Sequence, residues 1–237
     1  VRYTLGKTAT AGSFDSSGAA SSGLVELLNG RLVFAEGDVK INGFDGSDKT
    51  LVVMGGNVYL NTDITNGRLG IIAFKRNGVG GNVYILNSLT DLKANLFLDG
   101  SVFSYNGAAP AGTVPTYTSD ELRLETLLNQ LHLRGTLVSR NTVNGSGDSD
   151  GLYDLGDGTT TTDYNVAREY DLNMLRQFRL CHPIVDGVPD ESVTEECDEG
   201  EQLSTYGEAN GFYNSFILEY DPAYQLPIFQ VEYGLFN

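Results

Sequence analysis

The sequence predicts a mainly β fold, a parallel β-solenoid (β-helix-like) body with one or two short flanking helices and extended terminal strands. Three observations lead there. A phrase of glycine, polar residue, β-branched residue, any residue and aliphatic residue recurs. It stands as Gly37-Asp-Val39-Lys-Ile41, Gly56-Asn-Val58-Tyr-Leu60 and Gly81-Asn-Val83-Tyr-Ile85, then more loosely as Gly100-Ser-Val102-Phe-Ser104 and Gly135-Thr-Leu137-Val-Ser139. Apolar runs at 51–54, 69–74 and 92–98 lie between the phrases, so each repeat supplies at least two short strands. The 237 residues are 41% hydrophobic, with 29 glycines, 13 tyrosines and no tryptophan, a composition that suits a folded, turn-rich β protein rather than a disordered chain.

The elements follow in order. Residues 1–23 read as an extended arm, a short alternating start at Val1, Tyr3 and Leu5 followed by a Gly/Ala/Ser/Thr stretch. Residues 24–145 read as the solenoid-like body. One coil alone leaves its apolar face wet; stacked coils bury a continuous core and pair each strand with the next. Period-two alternation places Val39, Val58, Val83 and Val102 inside with Ile41, Leu60 and Ile85, and turns Lys40, Tyr59, Tyr84 and Phe103 outward. An Ala/Gly/Pro/Thr-rich insertion at 105–118 precedes a short helix from Ser119 or Asp120, with Leu124, Leu127, Leu128 and Leu131 near one face. The segment 131–139 echoes 96–104, so the coils are expected to resume there. Residues 146–237 are read as packing on the body. They comprise the end of a polar loop at 141–163, a helix at 166–178 with Tyr170, Leu172, Leu175 and Phe178 as its apolar stripe, a cysteine-flanked acidic loop, and strands at 212–220 and 228–236.

Charge narrows the partners. The formal net charge is −16, from 31 acids against 15 bases, and nucleic-acid backbones attract Lys and Arg, so no nucleic-acid partner is expected. Much of the excess is local: Asp186, Asp190, Glu191, Glu195, Glu196, Asp198, Glu199 and Glu201 share one segment without a base. It is read as a solvated acidic loop, with cation or partner binding as the alternative. Cys181 and Cys197 flank that segment, and no zinc-finger or CxxC spacing surrounds them. A disulfide between them in an oxidising compartment is the simplest assignment, stabilising the fold by about 3 kcal/mol on the chain-entropy model. No run of 18 apolar residues exists, so no membrane span is expected. The chain starts at Val1 rather than Met, which fits removal of a leader or a fragment of a longer protein and inclines the reading to export.

Four phrases carry a resemblance: Gly56-Asn-Val-Tyr-Leu60, Leu69-Gly-Ile-Ile-Ala-Phe74, Ala167-Arg-Glu-Tyr-Asp-Leu-Asn-Met-Leu-Arg-Gln-Phe178 and Glu219-Tyr-Asp-Pro-Ala-Tyr224. Together they resemble the C-terminal β-rich regions of large uncharacterised surface proteins of candidate-phylum bacteria, over about residues 30 to 224. The resemblance implies a cell-surface or extracellular setting and a β-rich fold, and carries no activity with it.

The chemistry-bearing residues point away from catalysis. The only histidines are His132, which alternates outward between Leu131 and Leu133, and His182, between Cys181 and Pro183; neither sits in a nucleophile or metal motif. The outward column shows no line of carboxylates of the kind a β-helix enzyme acting on acidic sugars needs. Asp148, Asp150, Asp154 and Asp157 alternate with glycine turns and are the candidate calcium ligands, the one cofactor in question. An acidic loop without a metal is the other reading, because the EF-hand order and closing glutamate are missing. Asn144-Gly-Ser146 matches the glycosylation pattern.

Two functions remain. The first is a structural subunit of a self-assembling extracellular filament or layer, its copies joined by strand donation through Val1, Tyr3 and Leu5 or through Phe229, Val231 and Tyr233. The second is a monomeric adhesin or glycan-binding module with Tyr59, Tyr84 and Phe103 as its stacking platform, although packing explains those rings equally well. The partners are copies of the same chain in the first case, and glycans or other surface proteins in the second.

Overall fold

The computed structural model describes residues 31–108, 127, 129–143, 151–176 and 216–220, together with the strand backbone at 24–27, 180–181, 184–185, 188–189 and 195–196. The fold is mainly β with parallel sheets. Along the chain, strands alternate between two of them. The first sheet takes β1 (Leu24–Leu27), β2 (Leu32–Glu36), β4 (Lys49–Met54), β6 (Ile64–Phe74), β8 (Asp91–Leu98), β10 (Leu131–Val138) and β17 (Phe216–Glu219), in the order β1-β2-β4-β6-β8-β10-β17. The second takes β3 (Val39–Ile41), β5 (Val58–Leu60), β7 (Val83–Leu86) and β9 (Val102–Tyr105), in that order. Every pairing in both is parallel except that of β1 with β2.

Register turns the repeated phrase into columns. Val39, Val58, Val83 and Val102 are aligned across the second sheet, as are Ile41, Leu60 and Ile85. Val33, Leu51, Ile71 and Leu96 form the facing column of the first sheet. These residues merge into one apolar core between the sheets, almost all of them fully buried. A fully buried Val, Leu or Ile side chain stabilises by about 1.5–3 kcal/mol, and β-branched columns suit the half-extended surface of a parallel sheet. The sheets differ on their outer faces: β2 and β4 alternate buried with exposed or partly exposed residues, whereas β5 and β9 are buried throughout, covered on both faces.

The unequal spacing of the glycine phrases has a local cause. Arg76 and Val79 pair around Asn77-Gly78, both in the left-handed region (φ 55° and 79°), and this tight hairpin is inserted between β6 and β7. It lengthens one repeat while leaving the register of β5 with β7 intact.

Two expectations need correction. The segment 131–139 does not repeat 96–104: β10 lies beside β8 in the first sheet, with His132 opposite Asp91 and Gly135 opposite Ala94 in mid-strand. The turn beyond it falls at Arg140-Asn141, where the Arg140 N–H donates to the Gly100 carbonyl (2.8 Å). The helix expected at 166–178 is instead a short α1 (Tyr164–Tyr170) followed by a 3-10 turn (Leu172–Met174). Asp171 breaks it in extended conformation. Its carboxylate accepts from the Asn173 N–H (2.9 Å), and the flanking Tyr170 carbonyl and Leu172 N–H bond to Thr142. An aspartate that caps a new turn while its neighbours join a β-bridge outcompetes continuation of the helix.

Candidate functional site

The polar residue of each phrase builds the first feature. The Asp38 carboxylate accepts from the Asn57 N–H (2.7 Å), the Asn57 side-chain carbonyl from the Asn82 N–H (3.2 Å), and the Asn82 side-chain carbonyl from the Ser101 N–H (2.9 Å). At the far end Asn141 accepts from the Val102 N–H (2.7 Å) and donates to the Val102 carbonyl (2.9 Å), occupying the place of a further strand beside β9. This ladder runs along the stacking direction and satisfies corner N–H groups that turn away from either sheet. A shorter one runs along the opposite corner, where Asn61 donates to Asn42 (2.7 Å) and accepts from the Tyr105 hydroxyl. The sequence signal was visible as the fixed polar position; its hydrogen bonding was not anticipated.

The outward column forms the second feature. Tyr59, Tyr84 and Phe103 are in register on the outer face of the second sheet, and Tyr59–Tyr84 and Tyr84–Phe103 stack at 5.0 and 5.4 Å between ring centroids. Tyr105 meets Tyr59 edge-on at 5.5 Å, and Tyr170, the last residue of α1, meets Phe103 edge-on at 5.1 Å. The rings are buried, Tyr84 completely and Tyr59 to 4% exposure. They face outward from the core, as alternation requires, yet form a second core of their own, which leaves no open ring face in this column for a ligand to stack on.

Burial sets the ionisation of this column. It pushes the Tyr59 and Tyr105 phenols up to about 12 and raises Tyr84 further, with the Asp38 carboxylate adding to the effect at Tyr59. A phenol whose folded pKa lies above its unfolded value of about 10 contributes stability that is complete below pH 10 and is lost as pH rises through the folded value. Absorbance at 295 nm against pH is therefore expected to show exposed tyrosines ionising reversibly near pH 10. A later step near pH 12 should coincide with loss of the β-sheet circular dichroism. Complete ionisation of all 13 tyrosines near pH 10 with the fold intact would contradict this picture.

The third feature is the end of the stack. Among the described residues the second sheet ends at β9, and Leu175 enters the core there. Arg176, fully buried, donates to the Leu86 carbonyl (2.9 Å), the Leu89 carbonyl (3.4 Å) and the Ser104 hydroxyl, which itself donates to the Leu175 carbonyl. The first sheet goes on by two strands, β10 and then β17. In β17, Phe216 packs against the core, whereas Leu218 is 47% exposed. On the outer face the Glu219 carboxylate lies 2.8 Å from His132 Nε2 and 3.4 Å from Arg134 Nε. On its other side, the Arg134 guanidinium meets His132 Nδ1 at 3.3 Å. His132 thus belongs to a clasp between β10 and β17 rather than to an open strand surface.

The remaining sequence-predicted residues divide. Asp154 and Asp157 lie in the hairpin of β11 (Tyr153–Asp154) and β12 (Thr160–Thr161), where they accept from the Gly156 N–H (2.8 Å) and the Thr159 N–H (3.0 Å). The hydrogen bond from the Thr159 hydroxyl, followed in effect by that from its N–H, holds the Asp157 carboxyl below the usual carboxylate range. No group of three or more metal-ligating side chains occurs among the described residues. Asp148, Asp150, Cys197, Val1, Tyr3, Leu5, Phe229, Val231 and Tyr233 lie outside the described residues. Cys181 ends β13 (Leu180–Cys181), which pairs antiparallel with β16 (Glu195–Glu196) and sets Cys181 opposite Glu195, two residues before Cys197. The acidic segment also contains a ladder of β14 (Ile184–Val185) with β15 (Val188–Pro189), joined through Asp186-Gly187, where a plain loop was expected. No helix among the described residues is long and apolar enough to cross a membrane.

No protein-family model, curated protein or solved structure matches the chain.

Proposed function

We propose that this chain is a non-catalytic structural protein of the cell exterior, a subunit of a filament or layer whose copies are joined by donated strands. Its body is a short β-solenoid, each coil being one strand of the first sheet, a glycine-marked corner and one strand of the second. The observation that carries the reading is how the sheets end. Among the described residues, β3 has one strand neighbour, β5, and β17 has one, β10, so each offers a backbone edge along the stacking direction. Such an edge is a template for a strand from another molecule, and a head-to-tail contact that does not close on itself makes a fibre. The exterior setting rests on the resemblance of the repeat phrases to bacterial surface proteins and on the strongly acidic composition. The disulfide between Cys181 and Cys197 is part of the same proposal.

Negative-stain electron microscopy of the purified chain, beside a form lacking residues 1–23, tests it. Ordered fibres or sheets are expected from the whole chain. Their loss on deletion assigns donation to the N-terminal arm, and their survival moves it to the C-terminal side. Monodisperse particles in both samples at all concentrations reject self-assembly and leave the monomeric adhesin, with the loops at 105–118 and 141–163 in place of the closed tyrosine column as its binding face.

A further inference from the structure

We propose that β17 is the exchanged strand: in the assembled form the Phe216–Glu219 segment on a given β10 belongs to a neighbouring copy. The inference rests on the assembly reading above and names the joint. Four observations converge on it.

The strand is short and shallow. None of its four residues is buried, and among the described residues it has one strand neighbour, β10, and is held by a parallel ladder, Phe216 at the core and the Glu219 clasp. Segments with few buried contacts open at low free-energy cost. Thirty-nine residues separate Arg176 from Phe216. At about 3.3 Å per extended residue, this connection reaches its own β10 or a neighbour's, even with short hairpins within it. The docking is specific: Leu131 pairs with Phe216, His132 with Ile217, Leu133 with Leu218 and Arg134 with Glu219. This register brings the carboxylate between an imidazole and a guanidinium, and a one-residue slip would turn Phe216 away from the core. Finally, the second sheet is closed at this end by Asn141, Leu175 and Arg176, so the first sheet is the route left for continuation.

A tethered strand competes with an incoming one at an effective concentration of about the millimolar range, so exchange is favoured where copies are crowded. The test uses full-length chains in two complementary forms. One carries Glu219→Arg. The other carries Arg134→Glu with Asp91→Asn, because Asp91 lies 3.9 Å from Arg134 and would repel the new carboxylate. In either form alone, like charges meet whether the strand docks at home or on a copy. Mixed, each strand finds its complement only in the other chain. The critical concentration for assembly is expected to rise about tenfold for each form alone and to return to the wild-type value in an equimolar mixture. A chain carrying all three substitutions, expected to assemble unaided, controls for folding, with circular dichroism beside it.

If wild type assembles but the mixture behaves as the sum of its parts, or either form assembles like wild type, the exchange is wrong while the assembly reading stands. If wild type stays monomeric at every concentration, both fall. A second readout is independent of charge. His132→Cys with Ile217→Cys, in a chain whose Cys181 and Cys197 are serine, is expected to give covalent multimers on a non-reducing gel of assembled material. Crosslinked single chains there overturn the proposal.

Discussion

Gly56→Ala is expected to destabilise the fold by about 4 kcal/mol and to lower Tm by about 10 °C. The reason is contact rather than conformation. Gly56 has no positive φ, so alanine would suit its backbone, but a Cβ at this position would fall on the carbonyl carbon and oxygen of Gly37, the same position of the preceding phrase. Both partners are backbone, and neither can rotate aside as a side chain would. Relief requires the two corners to separate, which strains the Val39 N–H bond to the Asn57 carbonyl (2.9 Å) and the Asp38–Asn57 rung beside it. Gly78 is the matched control. It has φ +79° at the tip of the hairpin, with nothing within 4 Å of the site of a Cβ. Gly78→Ala costs the left-handed penalty alone, about 1 kcal/mol. Thermal unfolding of the two variants separates the cases, and equal shifts would mean that corner contact is not what fixes glycine at position 56.

This pair also marks where the sequence was legible. The phrase beginning at Gly37, Gly56, Gly81 and Gly100 gave the corners and, through alternation, the inward valine column, because period-two patterning and repeat spacing are local properties. The reason for the glycines was only half visible: Gly37 and Gly81 have positive φ, whereas Gly56 and Gly100 are required by the backbone and side chain of the adjacent phrase, which no single repeat reveals. Tertiary cover was not legible either. Tyr59, Tyr84 and Phe103 fall on the outer face as alternation requires, but the cover of Phe103 includes Tyr170, which stands 67 residues after it in sequence and reaches it where Asp171 ends α1 against Thr142. The false repeat at Gly135 shows the opposite hazard. Its composition matched the phrase, yet Gly135 sits in mid-strand, where a Cβ would strike the Ala94 carbonyl: a glycine selected by crowding imitates a glycine selected by a turn. Strand content near 216–219 was readable, whereas its parallel partner, more than 70 residues earlier, was not.

Arg176→Ala should cost roughly 2–4 kcal/mol, the scale for leaving buried acceptors without a charged donor beside a void, and is expected to alter the proposed assembly as well. The guanidinium lies at full burial where the second sheet runs out. There it bonds the carbonyl of Leu86, the last paired residue of β7, the carbonyl of Leu89 just beyond it, and the hydroxyl of Ser104 on β9. Alanine removes donors from acceptors that stay buried and leaves a void beside Leu175. Arg176→Lys keeps the charge but not the planar fork whose two terminal nitrogens diverge to these acceptors, so it is expected to recover less than half of the loss. The two substitutions together measure how much of the contribution is geometry. The consequence for assembly follows from repeat proteins generally, in which a terminal unit must present a closed face or the stack associates without control. In the proposed assembly, Arg176 helps close the second sheet, so that continuation runs through the first sheet at β17. Without it, that cap is loosened and Asn141 is left to hold the β9 edge. Light scattering of Arg176→Ala at temperatures below its Tm is therefore expected to show irregular aggregates in place of ordered polymers. Ordered assembly at wild-type concentrations, despite the lost stability, would mean that the direction of growth is set elsewhere than at this cap.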